Sequence, residues 1–240
     1  MKREHNEDSW LINEDLGLYV VCDGMGGHAG GETASRLAVQ TVERELLGAR
    51  LRPDDPFAAE AKLAESPLAG ALREAIEGAC AAVYRTSRVN PELQGMGTTC
   101  IALLIHGDIA ILGHVGDSRA YAVRDGEVAQ LTEDHSLVNE QIRAGLLTPD
   151  EARHSRLKNI ITRSVGFEED VLVDLLGFEV KPGDRYLLCS DGLSNLVAND
   201  EIRDAMVRTD LDKVPESLIQ LANDRGGDDN ITVIVIHRAA

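Results

Sequence analysis

Aromatic residues are scarce in this sequence: four Tyr, three Phe and one Trp, 3% of 240 residues. Within an apolar share of 43%, a core must therefore be packed from Val, Leu, Ile and Ala. Cations are outnumbered too, with 24 Lys and Arg against 41 Asp and Glu, for a formal charge of -17. A surface of that sign repels a phosphodiester backbone and argues against general nucleic-acid binding. Cysteine is limited to Cys22, Cys80, Cys100 and Cys189, with no CxxC pair and three of the four in apolar, strand-like runs. Buried thiols in a reducing compartment account for them better than disulfides or zinc. No apolar run approaches the ~20 residues of a membrane helix. The start, Met1-Lys2-Arg3-Glu4, lacks an apolar secretion segment, so a cytoplasmic protein is expected. Internal repeats and low-complexity linkers are also missing, and residues 1–240 read as one domain of ordinary size.

The apolar patterning divides the chain. Residues 32–47 carry Leu37, Ala38, Val42 and Leu46 at helical spacing. A loop is expected at 52–56, with its two prolines, and an Ala-rich helix over 57–88, bent or broken near Pro67. Residues 98–105, 109–115, 120–123 and 128–131 are short β-prone runs that read as an antiparallel meander. Asp125-Gly126 between the last two is a hairpin signal. Further strands are expected at 186–189 and 231–237, and helices at 136–144, 199–207 and 212–224. Consecutive strands with helices on both sides argue for an α+β layered fold.

The informative residues are acids at the ends of apolar runs. Tyr19-Val20-Val21-Cys22 leads into Asp23-Gly24, and Tyr186 to Cys189 leads through Ser190 into Asp191-Gly192. Residues 111–115 lead into Gly116-Asp117-Ser118, and Asp228-Asp229-Asn230 stands before the last strand. Antiparallel strands place the end of one beside the start of the next, so these acids could gather at one edge. A single Asp-Gly is ordinarily a turn, as at Asp125-Gly126. Gathered carboxylates repel unless a cation sits among them, and hard divalent ions with oxygen ligands suit that role. Gly24 would let a backbone carbonyl approach such an ion. Residues 24–30 loosely fit a nucleotide-binding glycine loop, with Ala29 in the third position. The following helix, however, leads into another helix, and no Gly-Lys-Ser/Thr follows.

Arg3-x-x-Asn6-Glu7-Asp8 followed by Asp23-Gly24-Met25-Gly26-Gly27-His28 resembles the bacterial form of the PP2C-like (PPM) metal-dependent protein phosphatases. The likeness continues, in the family's order, through Gly97-Thr98-Thr99, Gly116-Asp117-Ser118-Arg119, Asp134-His135-Ser136, Ser190-Asp191-Gly192 and Asp229-Asn230-Ile231-Thr232. It implies a four-layer α-β-β-α sandwich with two central, mainly antiparallel sheets and a flap over residues 136–166. It also implies hydrolysis of phosphoserine and phosphothreonine in proteins, opposing Ser/Thr kinases, by a water activated between two Mn2+ or Mg2+ ions. Carried across, Asp23 is similar to the carboxylate shared by both ions, and Asp191 and Asp229 to ligands of one. The Gly24 carbonyl and Glu7 correspond to contacts of the other, with Asp8 binding its waters, and Asp117 joins Asp191 around a third, weaker ion. Arg3 matches the family's phosphate-binding arginine. Phosphorylated proteins, kinases among them, are then the expected partners of a monomer, without nucleic acid or membrane. No phosphoenzyme is implied, in keeping with the lack of a CX5R cysteine loop.

Two departures stand out. Some relatives have a general-acid histidine directly after Asp-Gly, where this chain has Met25; methionine donates no proton, so His28 or a bound water is the next candidate. The family carries a further strand before the arginine motif, and this sequence begins two residues ahead of Arg3, so that strand is expected to be missing. A non-catalytic phosphoprotein-binding relative and a two-metal nuclease remain as other readings. The first would be expected to lose ligands that are complete here; the second lacks a basic groove.

Overall fold

The structure is a computed structural model that describes residues 3, 5–49 and 66–239. The loop expected at 52–56, and the first part of the helix expected over 57–88, lie outside the described residues. The chain begins with the hairpin β1 (Asp8–Asn13) and β2 (Leu18–Met25), followed by α1 (His28–Gly48) and α2 (Pro67–Val89). Then come β3 (Gly97–Thr98), β4 (Cys100–His106), β5 (Ile109–Val115), β6 (Arg119–Arg124) and β7 (Glu127–Gln130). Two short helices, α3 (Leu137–Arg143) and α4 (Pro149–His154), occupy the segment expected to form a flap. The remainder is β8 (Asp174–Glu179), β9 (Arg185–Cys189), α5 (Asp191–Ser194), α6 (Asn199–Arg208), α7 (Val214–Asp224) and β10 (Val233–His237).

The strands form two antiparallel sheets, one ordered β1-β2-β4-β5-β8 with β3 also on β2, the other β10-β9-β6-β7. Their period-two side-chain alternation sorts the apolar residues into layers. Leu18, Val20 and Cys22 of β2, with Cys100, Ala102 and Leu104 of β4, face α1 and α2. Val21, Ile101, Leu103 and Leu112 face the other way, against Ala120, Tyr186, Leu188, Ile234 and Ile236 of the second sheet. The second sheet's outer face buries Tyr121, Leu187 and Cys189 against Leu193, Ile202, Met206 and Leu218 of the C-terminal helices. Three apolar clusters between four layers make the α-β-β-α sandwich. Strands covered on both faces need continuous apolar runs, as β2, β4 and β9 have.

The meander expectation needs correction. β4 pairs with β5 in the first sheet and β6 with β7 in the second, so the chain changes sheets at residues 116–118. Four similar short runs give no sign of that crossing; only packing on both faces requires it. Of the helix expected over 57–88, bent or broken near Pro67, the described part starts at that proline, with Pro67 at the first helical position and the Ser66 hydroxyl accepting from Ala69 N at 3.3 Å. Proline lacks only an N–H that the first turn leaves unused, and a serine cap contributes about 1 kcal/mol. β8 was not expected: it is a half-exposed edge strand with acids at both ends and Gly177 inside.

At residues 125–126 the hairpin forms as expected, with φ of 53° at Asp125 and 82° at Gly126. Gly166 also has positive φ, 93°, but a Cβ there would meet the Val83 side chain of α2, with Val83 Cβ 2.7 Å away. At Gly126 a Cβ would meet nothing within 4 Å. Gly166→Ala is therefore expected to cost more than Gly126→Ala in a denaturant titration. The excess should be about 1–3 kcal/mol from overpacking, on top of the left-handed backbone penalty both share. Equal midpoints for the two variants would show that α2 does not seat against residue 166.

Candidate active site

The strand registers bring the acids together. Asp8, which opens β1, stands directly opposite Asp23 on β2. Thr98 lies opposite Gly24 on the next strand, and Cys100 lies opposite Val115, two residues before Asp117. In the second sheet Cys189 pairs with both Arg119 and Val233, so Asp191 leaves β9 beside the segment carrying Asp229. Thus Asp8, Asp23, Asp117, Asp191 and Asp229 meet at one end of the sandwich, where strands of both sheets terminate.

Hydroxyl groups fix the backbone around the acids. Asp23 N donates to Thr99 Oγ1 at 2.9 Å, and Asp23 O accepts from Thr99 N at 2.9 Å and Thr98 Oγ1 at 2.8 Å. Thr99 Oγ1 and Ser118 Oγ are 2.8 Å apart, tying β4 to the Asp117 loop. Asp8 Oδ2 accepts from Ser190 Oγ at 2.8 Å and Thr232 Oγ1 at 2.7 Å. Asn230 Oδ1 accepts from Glu7 N at 2.9 Å, and Asn195 Nδ2 donates to Asp191 Oδ2 at 2.9 Å. Gly24 packs so tightly that a Cβ would run into the Gly31 carbonyl and lie 2.5 Å from the Glu7 carbonyl. Only glycine lets β1, β2 and the start of α1 meet there.

The cluster's electrostatics are unfavourable as they stand. Burial raises the Asp23 carboxyl well above the usual range, and Asp8, Asp191, Asp117 and Asp229 raise it further. Burial also raises Asp8 to about 6, opposed by its hydrogen bonds to Thr232 and Ser190. Asp117 rises to about 8, through burial first and then the charges of Asp191 and Asp134. Asp191 is raised by burial and by Asp229. Meanwhile Glu7 Oε1, Asp8 Oδ1, Asp117 Oδ1 and Asp191 Oδ1 are buried oxygens without a hydrogen-bond partner. Buried acceptors are normally satisfied, so four orphaned carboxylate oxygens at this end of the sandwich fit a bound cation. The donor set, carboxylates and a close backbone carbonyl, fits Mg2+ or Mn2+ rather than a soft metal. It is not a preformed chelate: among the described residues no three His, Cys, Asp or Glu are arranged to hold an ion as they stand. Asp8 is turned onto its hydroxyls and Asp229 onto Arg3, which keeps those carboxylates apart.

Of the sequence-predicted residues, Glu7, Asp8, Asp23, Gly24, Asp117, Asp191 and Asp229 all lie at this end of the sandwich. Arg3 reaches it from the N-terminal side, its Nη2 donating to Asp229 Oδ2 at 2.7 Å and its Nε to Asp228 O at 3.3 Å. His28 opens α1, and its side chain lies outside the described residues. Sequence reasoning missed the support: Thr99, Ser118, Ser190 and Thr232 sit inside the quoted motifs, yet nothing in the sequence says which acid each one serves. It also missed a cleft of about 600 Å3 that starts at Asp117 and Asp191 and runs between the α3–α4 segment and the α5–α6 region. Val138, Ile142 and Lys158 line one wall, and Leu196, Val197 and Arg225 the other.

Comparison with known proteins gives the same picture. The pattern of the family Protein phosphatase 2C matches residues 2–230. The serine/threonine protein phosphatase PstP of Mycobacterium tuberculosis is 38% identical over 233 residues, covering 97% of this chain and 42% of that longer protein. The serine/threonine phosphatase stp of Listeria welshimeri is 35% identical over 240 residues, covering 98% of this chain and 91% of that protein. Among solved structures, the M. tuberculosis phosphatase PstP/Ppp superposes with a TM-score of 0.85 at 36% identity, covering 100% of this chain and 95% of that one. The PstP catalytic domain in complex with two manganese ions gives 0.82 at 36% identity, covering 98% and 92%. With its motifs in order, its layers in place and its acids converging, the chain belongs to the protein phosphatase 2C family.

Proposed function

We propose that this chain hydrolyses phosphoserine and phosphothreonine in proteins, using two divalent cations, Mn2+ or Mg2+, held by the acid cluster. The observation that carries the reading is the set of four buried, unpartnered carboxylate oxygens on Glu7, Asp8, Asp117 and Asp191. In this reading Asp23 serves both ions, Asp191 and Asp229 hold one, and Glu7 with the Gly24 carbonyl holds the other. Asp8 holds that ion's waters, and Asp117 with Asp191 takes a third, weaker ion. When bound, the metal pair supplies the Lewis acidity that makes a water nucleophilic near neutral pH.

The chain's own residues do the rest. Arg3, half exposed at the rim, offers a guanidinium whose planar fork matches the oxygens of a phosphate. Thr98 and Thr99 hold the Asp23 main chain in place. Met25 ends β2 and cannot protonate a leaving alkoxide, which leaves His28 as the side-chain candidate for general acid. The cleft between the α3–α4 segment and the α5–α6 region gives a peptide a place beside the acids, with the segment 136–166 acting as a flap that selects it. The whole described chain then works as one phosphatase domain, a monomer of the reducing cytoplasm with kinases among its phosphoprotein substrates. Four buried cysteines without disulfides suit that compartment. No helix among the described residues is long and apolar enough to cross a membrane.

Mn2+-dependent hydrolysis of p-nitrophenyl phosphate is the direct test. Asp23→Asn should lower it by more than about 100-fold, beyond what loss of a mere supporting residue costs. Retained turnover in that variant would overturn the reading. Exchanging residues 136–166 for a relative's segment should change phosphopeptide preference more than p-nitrophenyl phosphate turnover, and an equal loss on both would remove the flap's selective role. Without metal, Asp8 and Asp117 hold protons more tightly in the fold, at about 6 and about 8, than at the ordinary 3.8. At these two groups the folded form then binds more protons than the unfolded, so their contribution to stability is fully present at low pH and is lost as pH rises from about 4 to 8. Asp117→Asn should raise the melting temperature of metal-free protein at pH 8 and leave it unchanged at pH 4. A rise equal at both values would show that the mutation acts through packing.

A further inference from the structure

The loop carrying Asp117 is the point where the chain leaves one sheet for the other, so no strand ladder fixes it. Gly116 stands there with φ of 110°. Its N–H donates to His135 Nδ1 at 2.9 Å, and its carbonyl accepts from His135 N at 2.8 Å. Both main-chain groups of the residue before Asp117 are thus bonded to one buried histidine. Because Nδ1 accepts an N–H, it carries no proton, and the neutral ring carries its proton on Nε2. Nε2 lies 3.0 Å from Asp174 Oδ2, the acceptor that fixes this tautomer. Asp174 Oδ1 accepts from Arg163 Nη1 at 2.6 Å, and the same nitrogen donates to Leu172 O at 3.2 Å. That nitrogen also stands 2.9 Å from His135 Nε2; with Nδ1 already accepting, the two are neighbouring donors that share the Asp174 carboxylate. The ring also lies against His114, with centroids 4.7 Å apart. On the other side, His135 O accepts from Thr162 N at 2.9 Å, and Leu137 N donates to Ile160 O at 2.8 Å. The two flanks of the α3–α4 segment are thus bonded to each other beside this histidine.

We propose that His135 is a positioning residue whose Nδ1 holds the Asp117 loop in the place from which Asp117 binds a cation. The inference deepens the metal reading above and rests on it. A buried acceptor bonded to the loop's main chain, with a carboxylate behind it setting the tautomer, is how outer-shell groups usually fix a metal ligand. Here it acts one step further back, on the backbone of the residue before the ligand. The free Asp117 Oδ1 is what this arrangement holds ready.

Asparagine and glutamine separate the ring's two nitrogens. His135→Asn can place its amide oxygen near the Nδ1 position and keep the acceptor for Gly116 N–H. His135→Gln reaches the Nε2 position and loses it. Mn2+ titration calorimetry on the full chain, supported by melting temperatures, gives the readout without turnover. His135→Gln should weaken the Asp117-dependent class of Mn2+ binding by about 10- to 100-fold, and His135→Asn by much less. In an Asp117→Asn background, which itself abolishes that class, His135→Gln should change Mn2+ binding no further. Equal weakening by Asn and Gln, or an unchanged weak class in His135→Gln, would overturn the positioning role while leaving the metal reading intact. If Asp117→Asn left every class of Mn2+ binding unchanged, the role of Asp117 itself would fall, and this inference with it. Asp174→Ala, at a half-exposed sheet edge, covers the case in which His135→Gln does not fold: it should weaken the same class several-fold, and no change would count against the proposal.

Discussion

Four buried carboxylates, Asp8, Asp23, Asp117 and Asp191, share the end of the sandwich with Asp229, which is more exposed and paired with Arg3. Desolvation opposes charge on each of the four, and the other acids raise Asp23 further. The surrounding structure manages this conflict rather than removing it. Asp8 gives one oxygen to two hydroxyl donors and keeps the other bare. Asp191 does the same with a single amide donor. Asp23 is held through its main chain by the two threonines beside it, and its carboxyl lies within hydrogen-bond reach of Asp191. In each case the support stops short of neutralising the acid, as a site meant for a cation requires.

The sandwich suits this because both sheets end their strands at the same place. Asp8 and Asp23 come from the first sheet's hairpin, Asp191 follows the end of β9, and Asp229 stands ahead of the neighbouring β10. Asp117 lies on the crossing between the two. The stitching is done by small polar side chains: Thr99 to Ser118 across the sheets, and Ser190 and Thr232 to Asp8. The apolar clusters on either side hold the strands rigidly enough for these short groups to meet.

Much of this was legible in the sequence, and the exceptions have physical causes. Apolar runs closing on Asp-Gly marked the strand ends, because a strand buried on both faces must be continuously apolar. The hairpin at Asp125-Gly126 was legible because both positions need positive φ. The sheet crossing at 116–118 was not, since β5 and β6 look as though they continue one meander and only the pairing of β5 with β8 reveals otherwise. β8 was hidden by its acids and its edge position. Pro67 marks a discontinuity in the sequence, and the Ser66 cap shows that α2 starts there. The acids themselves were found, but their helpers were not. A threonine that supports a carboxylate's backbone looks the same as one on a solvated strand until the neighbouring strand is known.

The bonds from Ser190 and Thr232 to Asp8 span 182 and 224 residues. On a ribosome Asp8 would therefore emerge long before the hydroxyls that receive it. Local helices such as α1 and α2 can form early, while contacts this distant in sequence close late. Asp8 and Asp23 can meet early in their local hairpin, but the hydroxyls that take up Asp8 reach it only when these distant contacts close.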